Sequence, residues 1–162
     1  MEINLNDVTL YYRIEGFGDP ALVMHGGLGA DHTTFLNSGF NKLSNQLELI
    51  YYDHRCNGRS SFPEIETLTH ENLRIALDHK NLTVIGHSYG GITGMEYASR
   101  YPENLRRLIL ITTTPSGTGL GEARKIAETR VPHLMDAVDK MLGRNCATDD
   151  EFIELLTILA PL

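Results

Sequence analysis

The apolar positions of the chain follow one pattern up to residue 115 and another pattern after it. In the first part, short runs of apolar and β-branched residues alternate with stretches of helical spacing, as at residues 35–47, 71–77 and 89–101. Such runs are typical of buried strands, and they lie at residues 8–14, 21–24, 47–52, 82–85 and 105–112. Because strands that alternate with helices form parallel sheets, the pattern predicts an α/β fold, a mostly parallel sheet with helices on both faces.

Residues 116–162 carry helical patterns only. Ala123, Ile126 and Ala127 form one apolar stripe, and residues 134–142 form a second. A third helix is predicted to begin at Thr148, which has Glu151 three positions later and so matches a capping box. We therefore predict two parts, an α/β core over residues 1–115 and a helical segment over residues 116–162.

A Gly-x-Ser-x-Gly motif, residues 86–90, stands between a predicted strand and a predicted helix. The serine at the apex of so sharp a turn is strained, so the residues two positions away on either side must be small. Such motifs also occur by chance in loops, but a flanking strand and helix are the context in which the motif presents a nucleophile. We predict that Ser88 is catalytic and that the backbone N–H of Tyr89 lies at a helix N-terminus, where negative charge is favoured.

Two further loops follow predicted strands. His25, Gly26 and Gly27 come directly after residues 21–24, and glycines at such a place let the backbone approach a ligand closely. The second loop begins with Asp53-His54-Arg55. For Asp53 and Arg55 we expect a charge pair that stiffens this loop rather than a catalytic role.

Composition excludes several classes of function. The 162 residues carry 14 basic and 21 acidic side chains, a formal net charge of −7, which argues against a nucleic-acid surface. The chain has no apolar run long enough to span a bilayer, and its acidic, polar start is unlike a signal peptide. Cys56 and Cys146 suggest neither a disulfide framework nor a zinc site, so we expect a cytoplasmic location. We expect no metal or cofactor, since the glycine loop lacks the Lys-Ser/Thr ending of a phosphate loop.

Together, three motifs resemble the α/β-hydrolase family, and within it the proline iminopeptidases and related esterases and lactonases. They are His25-Gly26-Gly27, the sequence Asp-x-Arg-x-x-Gly-Arg-Ser at residues 53–60, and the motif at Ser88. The resemblance implies about six of the family's eight strands, followed by part of a helical cap. It also implies an oxyanion hole formed by the backbone amides of Gly27 and Tyr89, with His25 and Gly26 supporting that loop. Leu28 and Tyr89 stand where the proline-peptidase signature prefers Pro and Trp, and Cys56 replaces a usual glycine.

The family's triad continues from the serine to an Asp or Glu and then a His. No carboxylate follows the predicted strand at residues 105–112, and we expect His87 to point away from the site. His32 reads as a loop or surface residue, and His133 is the one histidine worth testing as a substitute base. We therefore expect the triad Asp and His to lie outside these 162 residues and the chain alone to be nearly inactive.

Two classes of function follow from these residues. The first is a serine hydrolase that acts on an ester, amide, peptide or lactone carbonyl of a small-molecule or short-peptide substrate. The second is a non-catalytic interaction module, in which the exposed edge of the strand at 105–112 binds a second copy or a C-terminal complement. A fragment of a longer chain would also explain why the pattern stops within a helical region.

Overall fold

The computed structural model describes residues 1–5, 8–27, 29–36, 38–62, 80–116, 118–143 and 147–159. The chain divides into two compact units, Met1–Pro115 and Ser116–Leu162. The helix predicted at residues 71–77 lies outside the described residues, as do Leu28 and Cys146.

The first unit is built on a sheet of six strands in the order β1-β2-β4-β3-β5-β6. The parallel part joins β3 to β4 and β5, and β5 to β6, whereas β1 pairs with β2 and β2 with β4 in antiparallel fashion. This confirms the predicted α/β class with a mostly parallel sheet. The strands are β1 Glu2–Leu5, β2 Val8–Glu15, β3 Asp19–Met24, β4 Leu47–Tyr52, β5 Leu82–His87 and β6 Leu105–Ile111.

Alternate residues of the strands contribute to two separate apolar clusters, because successive side chains of a strand point to opposite faces of the sheet. One cluster packs against helix α2, Tyr89–Arg100, and contains Leu22, Met24 and Val84. The other contains Val23 and Ile85 and includes Phe35 of the short helix α1, Thr33–Leu36. Residues 40–45 form a 3₁₀ helix that starts after Gly39. The two clusters pack the opposite faces of the sheet. Because strands β3 to β6 are parallel, their carboxyl ends lie at the same edge of the sheet.

The second unit consists of helices in the residues described there. They are α3 Thr118–Arg130, α4 Met135–Gly143 and α5 Asp149–Leu159, with a 3₁₀ turn at Pro132–Leu134. The Thr148 hydroxyl accepts a hydrogen bond from the Glu151 N–H at 3.2 Å, as a capping box requires. The Glu151 carboxylate reaches back to the N–H of Ala147 at 2.9 Å instead of that of Thr148. Among the helices described, none is long and apolar enough to cross a bilayer.

Candidate active site

Ser88 occupies the turn between β5 and α2, and its backbone is strained. Its φ of 52° and ψ of −117° fall in a region that residues with a side chain rarely adopt. The Ser88 N–H donates to the Ile111 carbonyl at 3.0 Å, and the Ser88 carbonyl accepts from the Gly91 N–H at 2.9 Å. The side chain is exposed. The turn therefore holds a hydroxyl at the carboxyl edge of the parallel sheet.

Close backbone contacts explain the glycines on either side of Ser88. A Cβ added at Gly86 would lie 2.3 Å from the Gly90 carbonyl oxygen. A Cβ added at Gly90 would lie 2.2 Å from the Met24 carbonyl oxygen. Both distances are far below van der Waals contact, so neither position accepts a side chain without movement of the backbone. The requirement for small neighbours therefore comes from close packing within the turn at Gly86 and from the packing of the turn against β3 at Gly90.

The loop after β3 passes directly beside this turn. A Cβ added at Gly26 would lie 3.6 Å from the Ser88 Cβ, and one added at Gly27 would lie 3.2 Å from the Tyr89 Cβ. The structure thus brings together the four residues that the sequence predicted for the nucleophile and its loop. Gly27 and Tyr89 therefore belong to segments that lie next to each other.

His25 is fully buried, and its hydrogen bonds determine its tautomer. Its Nε2 accepts from the backbone N–H of His54 at 2.9 Å, so the proton resides on Nδ1, which donates to the Gly26 carbonyl at 2.6 Å. Desolvation by burial lowers the pKa of His25 below its ordinary value, which keeps the ring neutral. The imidazole therefore holds the glycine loop and has no lone pair left to accept a proton from Ser88.

His54 is hydrogen-bonded to the same loop, a role that the sequence pattern did not predict although it showed where His54 lies. Its Nε2 donates to the His25 carbonyl at 2.9 Å, and its Nδ1 accepts from the Tyr52 hydroxyl at 2.9 Å. Burial raises the pKa of Tyr52 well above its ordinary value, so the phenol keeps the proton that it donates. The two histidines thereby cross-link the ends of β3 and β4. A signal was present in the sequence, since each histidine lies at or just after the end of a predicted strand.

Asp53 organises the loop after β4 from a fully buried position, with a different partner from the predicted one. Its carboxylate accepts from the backbone N–H of His32 at 3.0 Å, from His32 Nδ1 at 2.6 Å and from the Arg59 N–H at 2.9 Å. Among the described residues, the side chain that contacts the Asp53 carboxylate is His32, where the sequence predicted Arg55. His32 lies in a loop, one of the two predicted settings, but it is buried rather than at the surface, since only 3% of it is exposed. A Cβ at Gly58 would lie 2.3 Å from the Asp53 carboxylate, which explains that glycine.

The described residues place no imidazole or carboxylate in hydrogen-bond contact with the Ser88 hydroxyl; the hydrogen bonds of Ser88 are made by its backbone. The ring of His87 lies edge-on to Phe35, with centroids 6.3 Å apart. In the ranges that the structure describes, no three His, Cys, Asp or Glu side chains are grouped to hold a metal ion. Within the described ranges, Ser88 is therefore an exposed serine whose hydroxyl has no imidazole or carboxylate partner.

Comparison with known proteins agrees with this geometry. The family model of the alpha/beta hydrolase fold matches residues 20–145. The proline iminopeptidase of Lactiplantibacillus plantarum is 32% identical over an alignment of 152 positions. The alignment covers 83% of this chain and 50% of that protein. Proline iminopeptidase PfmaB of Pestalotiopsis fici is 30% identical over an alignment of 174 positions. The alignment covers 99% of this chain and 62% of that protein.

A solved structure shows the same fold. The proline iminopeptidase of Mycobacterium smegmatis superimposes with a TM-score of 0.72 at 20% sequence identity, over 97% of this chain and 58% of that chain. This chain therefore spans 50% to 62% of the length of the three relatives.

Proposed function

This chain belongs to the α/β-hydrolase fold family, and from that premise we propose that Ser88 is the nucleophile of a serine hydrolase acting on an ester, amide, peptide or lactone carbonyl. The observation that carries the proposal is the strained conformation of Ser88, with φ 52° and ψ −117°, at the junction of β5 and α2. A non-glycine residue keeps such a conformation only where the surrounding structure enforces it, and such residues cluster at active sites.

The reaction would begin when Ser88 Oγ attacks the carbonyl carbon of the substrate. The electron pair of the carbonyl double bond moves to its oxygen, and the hydroxyl proton passes to a general base. The N–H groups of Gly27 and Tyr89 would donate to the oxyanion, with Tyr89 at the positive end of α2. Collapse of the tetrahedral intermediate expels the alcohol or amine and leaves an acyl-serine, which water hydrolyses.

The general base and its acidic partner are proposed to come from polypeptide other than the described residues. The support is the hydrogen bonding of the Ser88 hydroxyl, which within the described ranges has no side-chain partner. In this family the acid and the histidine follow the nucleophile in the sequence. A serine without a base is a weak nucleophile, so we expect the 162-residue polypeptide alone to react slowly.

The substrate is proposed to be a small molecule or a short peptide. Two curated relatives and one structural neighbour are proline iminopeptidases, so amides and peptides with an N-terminal proline are the first candidates. Tyr89 directly follows the nucleophile, is 38% exposed and stacks edge-on with His54. Its ring would therefore border the acyl group of a bound substrate.

A fluorophosphonate probe, which reacts covalently with activated serines, tests the proposal. We expect slow labelling of the chain at Ser88, located by peptide mass spectrometry, and none in Ser88→Ala. Thr93→Ala is the matched control for loss of a hydroxyl, since Thr93 is buried within α2 and donates to the Gly90 carbonyl. Absence of labelling at Ser88 would overturn the hydrolase proposal. Rapid stoichiometric labelling would instead overturn the proposed lack of a base.

A second candidate function is favoured by the edge strand β6. Ile109 and Leu110 are each 42% exposed, and consecutive residues of a strand point to opposite faces. A strand that is apolar on both faces is typical of the interior of a parallel sheet. We propose that β6 binds a polypeptide that adds a parallel strand with helices on both faces, of the kind that the extra length of the relatives would supply.

Co-expression tests this interaction. The probe is the part of the Lactiplantibacillus plantarum protein that lies beyond its match to this chain. We expect light scattering to show a one-to-one complex that Ile109→Lys abolishes. Glu122→Lys, an exposed charge change in the second unit, is the control. A dimer of this chain alone, or a monomer that binds no probe, would contradict the proposed occupant.

A further inference from the structure

The backbone carbonyl of Ser88 accepts a hydrogen bond that the helix does not require. Within α2 it accepts from the N–H groups of Gly91 at 2.9 Å and Ile92 at 3.3 Å, as expected for the residue that precedes a helix. The hydroxyl of Thr113 donates a third bond to the same oxygen at 2.7 Å. This bond comes from the segment after β6, 25 positions away in the sequence.

The carbonyl of Ser88 and the N–H of Tyr89 belong to one planar peptide unit. In a trans peptide they point in opposite directions, so a partner that fixes the oxygen also fixes the direction of the N–H. We propose that Thr113 is a positioning residue that aims the Tyr89 N–H at the oxyanion of the tetrahedral intermediate. This inference rests on the proposed function, because it assigns a role to the same oxyanion hole.

The turn after β6 places Thr113 over the nucleophile turn. Thr112 has a φ of 44°, which is rare for a β-branched residue and redirects the chain at the end of the strand. The Ile111 carbonyl accepts from the Ser88 N–H at 3.0 Å, so two residues of this segment hold both polar groups of the Ser88 backbone. Strain at Ser88 and strain at Thr112 are thus stabilised by the same pair of bonds.

Gly91 makes room for the threonine. A Cβ added at Gly91 would lie 2.5 Å from Thr113 Cγ2 and 2.6 Å from Thr113 Oγ1. Thr113 therefore packs against the first turn of α2 through its methyl group while its hydroxyl reaches the Ser88 carbonyl. The packing and the hydrogen bond of Thr113 can be tested separately. Substitution by valine removes the hydroxyl and keeps the methyl group, whereas substitution by serine removes the methyl group and keeps the hydroxyl.

The N–H of Gly27, the other proposed oxyanion donor, is also held through the carbonyl of its own peptide unit. His25 Nδ1 donates to the Gly26 carbonyl at 2.6 Å, and that carbonyl shares its peptide unit with the N–H of Gly27. Each of the two N–H donors is therefore held through the carbonyl of its own peptide by a side chain, His25 for Gly27 and Thr113 for Tyr89. A fixed donor needs no reorganisation during the reaction, which is the property that makes an oxyanion hole effective.

Labelling kinetics on the full chain test the role of Thr113. For Thr113→Val we expect the maximal labelling rate of Ser88 by the fluorophosphonate to fall about tenfold, less than the loss of a whole donor would cause. The probe concentration at half-maximal rate should stay unchanged, because the hydrogen bond acts on the reaction and not on probe binding. Thr113→Ser should restore the wild-type rate. Thr129→Val, which also removes a hydroxyl that donates to a backbone carbonyl but lies in the second unit, is the matched control and should leave the rate unchanged.

Each outcome separates the two proposals. If wild-type Ser88 is labelled and Thr113→Val reacts equally fast, the positioning role is overturned and the proposed function stands. If wild-type Ser88 is not labelled at all, the proposed function fails and the positioning role fails with it. Should Thr113→Val unfold, Thr113→Ala takes its place, and a slow rate that Thr113→Ser does not restore would show that Thr113 acts through packing alone.

Discussion

Ile85 of β5 and Ile109 of β6 are register partners on the same face of the sheet, yet their surroundings differ. Ile85 is 1% exposed and Ile109 is 42% exposed. The two residues are of the same type and are paired with each other, so the difference comes from their other neighbours. In the sheet described, β5 lies between β3 and β6, whereas β6 has β5 alone beside it. An apolar strand sequence thus indicates that the strand can be buried. Whether it is buried depends on the elements that pack beside it.

The surroundings of Ser88 also differ in burial between the side of β3 and β4 and the side of β6. At the ends of β3 and β4, His25, Asp53 and His54 are buried and each is hydrogen-bonded to backbone groups. At the end of β6, Thr113 holds the Ser88 carbonyl from a half-buried position. The glycine loop after β3 is therefore held by buried, hydrogen-bonded side chains, while on the side toward β6 the described residues place no imidazole or carboxylate against the Ser88 hydroxyl.

The greatest predicted change in stability comes from testing the two paired isoleucines, Ile85 and Ile109, by substitution. Ile85→Ala should lower the free energy of unfolding by about 2–5 kcal/mol, because it leaves a cavity in a packed cluster. Ile109→Ala should lower it by less than about 1 kcal/mol, since the side chain is already largely in water. Urea denaturation of both variants measures the difference. Equal losses would mean that β6 is covered in solution.

The next effect tests the packing of the nucleophile turn against β3. Gly90→Ala should lower the free energy of unfolding by about 3 kcal/mol, because its Cβ would lie 2.2 Å from the Met24 carbonyl oxygen. Gly121→Ala is the control, since a Cβ there meets no atom within 4 Å within helix α3. That change should raise stability by up to about 1 kcal/mol. A tolerated Gly90→Ala would contradict the close approach of the turn to β3.

The smallest effect is the pH dependence that His25 contributes. Burial lowers the pKa of His25 below its ordinary value of 6.5, so the unfolded chain takes up a proton at a higher pH than the folded chain. The stability that the neutral ring provides is complete above pH 6.5 and is lost as the pH falls through the lower folded value. The slope should not exceed about 1.4 kcal/mol per pH unit.

Chemical denaturation between pH 7 and pH 5 measures this slope. His25→Gln should flatten it, and His133→Gln, at an exposed site in the second unit, should leave it unchanged. An unchanged slope in His25→Gln would show that the buried imidazole is not the group that titrates.

Local patterns account for what could be predicted. The elbow residues Gly86, Ser88 and Gly90 lie within five positions, and the sharpness of the turn between strand and helix was enough to predict small residues at both glycines, although Gly90 also meets β3. Strands β2 to β6 were recognisable because each contains its own apolar run. Contacts between distant residues were not predictable in this way. His32 and Asp53 are 21 positions apart, and no pattern in either loop indicated that the ring would be buried against that carboxylate.

Residues close together in the chain account for the succession of strands and helices, for the strained turn at Ser88 and for the glycine loop beside it, which is why these features could be predicted without the structure. Tertiary structure alone decided that His54 locks His25 and that Thr113 holds the Ser88 carbonyl. Both contacts require knowing which strands lie side by side, with β3 between β4 and β5, and β5 next to β6. Backbone groups at the ends of adjacent strands become partners only after the sheet has formed, because its strand order is set by the burial of all the strands together.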